Sequence, residues 1–194
     1  LAEIVTLPFI QKDYKALTIA ATKLYRKFLN KEFKGTHPLA LMALPHYNIH
    51  LKKPIKDLST GLKGLRIRVV GKGLSNVIRA LGADVVGMPI TQVYENMQKG
   101  VMNGFVLPNM ALGIFKLHEV SDYHVIVNIS APVIFIGMSQ KLWQGLKPEH
   151  QKQIGAKYEG TAAAVRYVSC FDKIDKMALK FAKKNNGVVH RASP

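Results

Sequence analysis

The sequence predicts an α/β fold, and three observations lead there. Between residues 65 and 107, short runs of branched aliphatic residues alternate with segments of helical spacing, and glycines stand at the junctions. Over residues 148–186 the chain keeps a helical apolar rhythm with no proline after Pro148. The chain has 194 residues and is 48% hydrophobic, enough for one large core or two small ones.

Residues 13–33 place Leu17, Ala20, Ala21, Leu24 and Phe28 at helical spacing, with Lys34-Gly35 as a stop. Residues 39–44 form a short apolar run closed by Pro45, the pattern of a buried strand, and the polar stretch 45–50 reads as extended or looped backbone. The alternation at 65–70 predicts a strand leading into the turn Gly71-Lys72-Gly73. A helix is expected from Ser75 as N-cap to Leu81, then a strand over 84–88, a helix over 91–99 closed by Gly100, and a strand over 101–107. In such alternation ligands bind at the carboxyl ends of the strands, which points to Arg68, Met88 and Leu107.

A helix over 109–117 precedes two apolar segments, 123–129 and 133–138, read as strands with a crossover at Ala131-Pro132. Ser139 caps a short helix that carries Trp143 and ends near Leu146. In the final helical stretch Ile154, Tyr158, Ala162, Val165, Val168, Asp172, Met177 and Phe181 share a face, and Asn185-Asn186-Gly187 ends it. Its length exceeds that of an ordinary helix, so either Gly155 or Gly160 breaks it or one long helix braces two bodies.

The formal net charge of +16 favours anionic partners and raises the alternative of a basic nucleic-acid-binding module. The charge is scattered in singles and pairs, such as Lys23 and Lys27 or Lys183-Lys184, and no nucleic-acid motif accompanies it, so a solvated basic surface with no nucleic-acid partner is the expectation. Cys170, the one cysteine, is expected to be a packed, inert thiol. No apolar run reaches the ~18 residues of a membrane span, and residues 1–10 lack the marks of a signal peptide, so any export signal lies outside the given sequence.

Gly71-Lys72-Gly73 lacks the third glycine of a dinucleotide fingerprint, with Asn76 in its place, and the Walker pattern is missing; a tight turn fits better, with backbone contact to an anion as the alternative. His46 and His50 are four apart, but the looped context and the missing zinc-protease glutamate argue against metal, as they do for His37. Glu119 with Asp122, and Ser130 or Ser139, have no spacing that recommends catalysis. No enzyme, cofactor or metal is expected.

Leu7-Pro8-Phe9, Asp57-Leu58, Gly64-Leu65-Arg66-Ile67-Arg68-Val69, Ala80-Leu81-Gly82-Ala83, Met88-Pro89, Val93-Tyr94-Glu95 and Gln98-Lys99-Gly100-Val101 occur in that order. Asn103-Gly104, Lys116-Leu117-His118-Glu119-Val120 and Trp143-Gln144-Gly145-Leu146-Lys147-Pro148-Glu149 follow. In their shared order these segments resemble the DctP-type periplasmic solute-binding proteins of TRAP transporters.

The resemblance implies a two-lobed, type II-like periplasmic binding protein with crossover strands and a long bracing helix, its first lobe incomplete. Residues 1–44 would belong to lobe I, 45–128 would form the ligand-clamping lobe II, and 129–194 would return to lobe I and supply the hinge-spanning helix. It also implies a periplasmic, monomeric receptor that binds a small organic acid between its lobes and delivers it to membrane permease subunits. Arg68 matches the family's carboxylate-clamping arginine, a role that suits a planar guanidinium. Leu107 stands where an asparagine is common, Ile90 where an aromatic ring is common, and His46 near a second family arginine. These departures favour a monocarboxylate with an apolar body, held by Arg68 against Ile90 and Leu107, with Asn128 as a polar contact.

Overall fold

The computed structural model describes residues 7–10 and 13–192. The reading of the first ten residues therefore lies in part outside the described residues. In chain order the elements are α1 (Tyr14–Leu24), β1 (Thr36–Ala43), β2 (Asn48–Leu51), β3 (Arg66–Arg68), α2 (Lys72–Ala80), β4 (Asp84–Val86) and α3 (Val93–Gln98). Then come β5 (Gly104–Leu107), α4 (Met110–Ile114), β6 (Tyr123–Ile126), β7 (Val133–Ser139), α5 (Gln140–Gly145), α6 (Pro148–Tyr158), α7 (Gly160–Lys184) and β8 (Val188–Arg191).

The chain divides into two compact units, one with residues 13–45 and Ala131–Asp172, the other with Leu7–Ile10, His46–Ser130 and residues 173–192. In the first, β1 and β7 pair antiparallel from Thr36↔Ser139 to Ala43↔Val133. The Asp13 carboxylate accepts from Lys15 N and Ala16 N and so starts α1, a cap worth about 1 kcal/mol. Thr18 and Thr22 then tie the helix to its strand: Ala43 N donates to Thr18 Oγ1 at 2.9 Å, and Thr22 Oγ1 donates to Leu41 O at 3.1 Å. The helical reading of 13–33 holds, but its end passes through a π turn (Tyr25–Leu29) and a 3-10 turn (Asn30–Phe33).

Ser139 caps α5 as its sequence suggested, accepting from Leu142 N. His37 stacks on Trp143 with ring centroids 3.7 Å apart and planes 6° from parallel, and its Nε2 lies 2.7 Å from Glu159 Oε1.

The second unit is built on a six-stranded sheet in the order β4-β3-β5-β2-β6-β8. β3 runs parallel to both β4 and β5, so the carboxyl ends of these three strands share one edge. β2 is antiparallel to β5 and β6. This strand, at 48–51, takes the extended one of the two readings of this stretch: Asn-Ile-His-Leu alternates polar with apolar, and its polar residues face a buried layer, not water. β8 was not anticipated either; it pairs parallel with β6, and its exposed charged and polar residues resemble a loop.

One face of the sheet is apolar. Ile49, Leu51, Ile67 and Val106 pack there with Leu74 and Ile78 of α2. The helix α2 begins at Lys72 behind Gly71, not at Ser75, which lies buried inside it. Gly71 has φ +92°, a backbone that L side chains rarely adopt, so the turn itself sets the start. The other face carries Phe105 and Leu107, covered by Val93 and Met97 of α3, Ala111 and Leu112 of α4 and Ala182 of α7.

Of the two breaks considered for the last helical stretch, the one at Gly160 occurs: α6 ends at Tyr158, and α7 starts at Gly160 with φ +77°. The buried side of α7 also differs from the expected face: Ala163, Ala164, Val168, Asp172, Ala178 and Ala182 are inside, whereas Met177 is 68% exposed. Small alanines let the helix backbone approach its neighbours, which the hydrophobic rhythm alone under-weights. Cys170 lies on the outer side and is exposed, so the expectation of a packed thiol fails.

Candidate functional site

Period-two alternation carries polar side chains onto the second face of the sheet. Asn48 and His50 on β2, Arg68 on β3 and His124 on β6 all point there, because their register partners Leu107 and Phe105 do. All four are buried.

Arg68 is 5% exposed, whereas Arg66, two residues earlier on the same face, is exposed, so position along the strand and not the pleat separates the two arginines. The Arg68 Nε and Nη2 both donate to Met88 O at 3.1 Å. That carbonyl occupies the side-on edge of the guanidinium and leaves the end-on pair, Nη1 with the second hydrogen of Nη2, unspent. Among the described residues no carboxylate comes within ion-pair distance of it. The one buried side-chain polar atom left without a partner among them is His124 Nε2, so Nη1 retains access to solvent. Burial pulls the guanidinium below its ordinary pKa, and Tyr47 opposes that pull. It stays cationic, since arginine is not deprotonated in proteins. Tyr47 is the reciprocal case, its phenol raised by burial and lowered by Arg68.

Behind the arginine lies a fully used amide. Asn48 Nδ2 donates to His46 O at 3.3 Å and Asn109 Oδ1 at 3.2 Å, and Asn48 Oδ1 accepts from Val127 N and Asn128 N at 3.0 Å each. Asn109 Nδ2 passes the chain to Asp175 Oδ2 at 2.8 Å, and Asp175 Oδ1 accepts from Met110 N at 2.8 Å. One carboxylate thus caps α4 and anchors the amides that hold the segment after β6.

His50 Nε2 lies 3.0 Å from Leu107 O, and its Nδ1 lies 3.1 Å from His124 Nδ1. A carbonyl can only accept, so His50 carries its proton on Nε2 and His124 must donate from Nδ1, leaving His124 Nε2 an acceptor with no donor. Burial pushes both imidazoles down, His50 to about 3 and His124 to about 4, with the neighbouring His124 adding to the effect on His50 and His118 to that on His124.

Of the residues named from sequence, Arg68, Ile90 and Leu107 lie on this side of the sheet, with Met88 and Tyr47 beside them. Leu107 is 3% exposed and packs in the core, and Ile90 is half-buried at the head of α3. His46 is buried and presents its carbonyl to Asn48. Asn128 is exposed with φ 49° and lines a separate hollow of about 690 Å³ with Phe9, Leu58, Val77 and Leu81, whose walls include neither Arg68, Ile90 nor Leu107. Sequence reasoning missed Tyr47, Asn48, His124 and Asn109. The alternation over 48–51 was the signal that could have found Asn48.

The whole chain, residues 1–194, matches the family model of the bacterial extracellular solute-binding proteins, family 7, called DctP. The C4-dicarboxylate-binding periplasmic protein DctP of Rhodobacter capsulatus is 28% identical over 147 residues, 74% of this chain and 44% of that protein. The matched segment thus covers less than half the length of this curated relative. Among solved structures, a TRAP solute-binding protein from an unidentified marine microbe, specific for aromatic acids and in complex with metahydroxyphenylacetate, superposes with TM-score 0.91 at 27% identity, covering 100% of this chain and 62% of that one. A TRAP periplasmic solute-binding protein from Bordetella bronchiseptica with bound (R)- and (S)-mandelate gives TM-score 0.85 at 25% identity, over 99% of this chain and 62% of that one. These neighbours are two-lobed α/β binding proteins, a fold class this chain shares. With residues 1–194 all matched by the family model, the chain belongs to the DctP family of bacterial extracellular solute-binding proteins.

Proposed function

We propose that this chain is the solute-gripping part of an extracytoplasmic receptor of a TRAP transporter. It takes a small organic acid by its carboxylate in the periplasm and hands it to membrane permease subunits. The observation that carries this reading is Arg68, a buried cation with no carboxylate partner among the described residues and an unspent end-on edge. A buried charge is costly unless paired, and the missing counter-charge is what an acidic solute brings. Fixing one edge on Met88 O pre-orients the fork, so less freedom is lost when two carboxylate oxygens dock.

The surroundings favour a monocarboxylate with an apolar body. Ile90 and Met88, both half-buried, offer methyl and thioether surface where a second acid group would need donors. Metahydroxyphenylacetate and mandelate, bound by two relatives, have this form: one carboxylate joined to an aromatic ring through a single carbon. Calorimetry with mandelate, 3-hydroxyphenylacetate and succinate tests the reading. The aromatic acids are expected to bind more tightly than succinate. The reading fails if none binds, or if a bound acid is converted to product.

A further inference from the structure

On the second half of α7, Ile174, Met177 and Phe181 follow at i, i+3 and i+7 and are 40%, 68% and 46% exposed. Across from them Ile114 of α4 is 52% exposed, and Met110 completes that wall. Between the two helices runs an open groove of about 560 Å³. Single exposed apolar residues need no explanation, but several lining one groove mark an interaction site.

The charged residues that line the groove, Lys180 and Lys184, are both exposed and of one sign. The acids on this stretch of α7 are engaged elsewhere: Asp172 pairs with Lys15 at 3.3 Å, and Asp175 holds Asn109 and Met110. A second copy of this surface would set lysine against lysine. A flat bilayer surface would meet the ridge of α7 and leave the groove between the helices unfilled. An inserted helix, about 10 Å across, fills such a groove, and acidic flanks would meet the lysines.

We propose that the α4–α7 groove docks an amphipathic helix with acidic flanks, supplied by a partner protein. The proposal makes no use of Arg68 and stands apart from the solute reading. Two synthetic helical peptides of about 18 residues, sharing one leucine face and flanked by either glutamate or lysine, are titrated against the protein by fluorescence anisotropy. The glutamate peptide is expected to bind, roughly tenfold or more tightly than the lysine peptide, and to weaken several-fold as salt rises from about 0.05 to about 0.5 M. Met177→Glu is expected to abolish this binding, and the pair Lys180→Glu with Lys184→Glu to invert the preference toward the lysine peptide; all three positions are exposed, and circular dichroism checks the fold. Equal binding of both peptides, no binding of the glutamate peptide, or an unchanged preference after charge reversal overturns the proposal. So does preferential binding to phosphatidylglycerol vesicles, or a dimer in sedimentation that Met177→Glu dissolves.

Discussion

Arg68 rests two of its nitrogens, Nε and Nη2, on one acceptor, the carbonyl of Met88, at 3.1 Å each. The residue that ends β3 is thereby aimed by the segment that follows β4, and the two strands are parallel neighbours. A cation held in this way has one edge spent on the fold and one left for chemistry.

Replacing Arg68 by Ala is therefore expected to cost about 2 to 5 kcal/mol of binding to an aromatic carboxylate, the usual loss when one partner of a desolvated charged pair is removed. Arg68→Lys keeps the charge but cannot hold Met88 O and two carboxylate oxygens in one plane, so it should recover only part of the affinity. Calorimetry checks both. Unchanged affinity in the alanine variant removes Arg68 from the site.

The His50–His124 pair predicts an acid-side loss of stability. Both are held neutral in the fold, with pKa pushed to about 3 and about 4, while the unfolded chain takes up protons near the ordinary histidine value of 6.5. The unfolded state thus binds more protons between pH 6.5 and about 4, and stability rises with pH across that window. The slope is at most about 1.4 kcal/mol per pH unit for each histidine. Urea denaturation at pH 7 and pH 5 should show a lower midpoint at pH 5. The double variant His50→Phe with His124→Leu should flatten that difference, and a slope that survives it points to other groups.

Asp175→Ala should destabilise the protein by about 1 to 3 kcal/mol, because it strands the buried Asn109 amide and uncaps Met110 N together. Asn48→Ala should cost a similar amount by releasing Val127 N and Asn128 N. The double variant should lose less than the sum of the single losses, since Asn109 couples the two sites. Strict additivity in chemical denaturation would show that the amide chain does not act as one network.

Trp143 is the chain's single tryptophan, and the His37 ring covers it at 3.7 Å. Removing the imidazole in His37→Ala should bare one face of the indole to water, shifting its emission to the red. Glu159→Gln, which weakens the partner of His37 but leaves the ring in place, should shift it less. Equal spectra for wild type and His37→Ala would mean that the stack does not persist in solution.

Much of the fold was legible because local rules write it. The start of α1 near Asp13, the cap of α5 at Ser139, the close of α3 at Gly100 and the alternation around β3 each depend on neighbours a few residues away. Reading failed where tertiary packing overrode pattern. Asn48 and His50 lie in a stretch that pattern leaves open between extended and looped until β5 and β6 flank it, and Met177 looks like core until α7 turns its alanines inward. The candidate site was half legible: alternation left Arg66 and Arg68 as equal choices for the inner face.

The sequence alone determined the βα order over residues 65–107, the glycine turn after β3, the break available at Gly160 and membership in the solute-binding family. Only the tertiary structure decided which arginine is buried, and which groups surround it. The Asn48–Asn109, Asn109–Asp175 and His50–His124 contacts join residues 61, 66 and 74 positions apart. Such contacts are set by sheet register and helix packing, which bring together side chains that no local propensity relates.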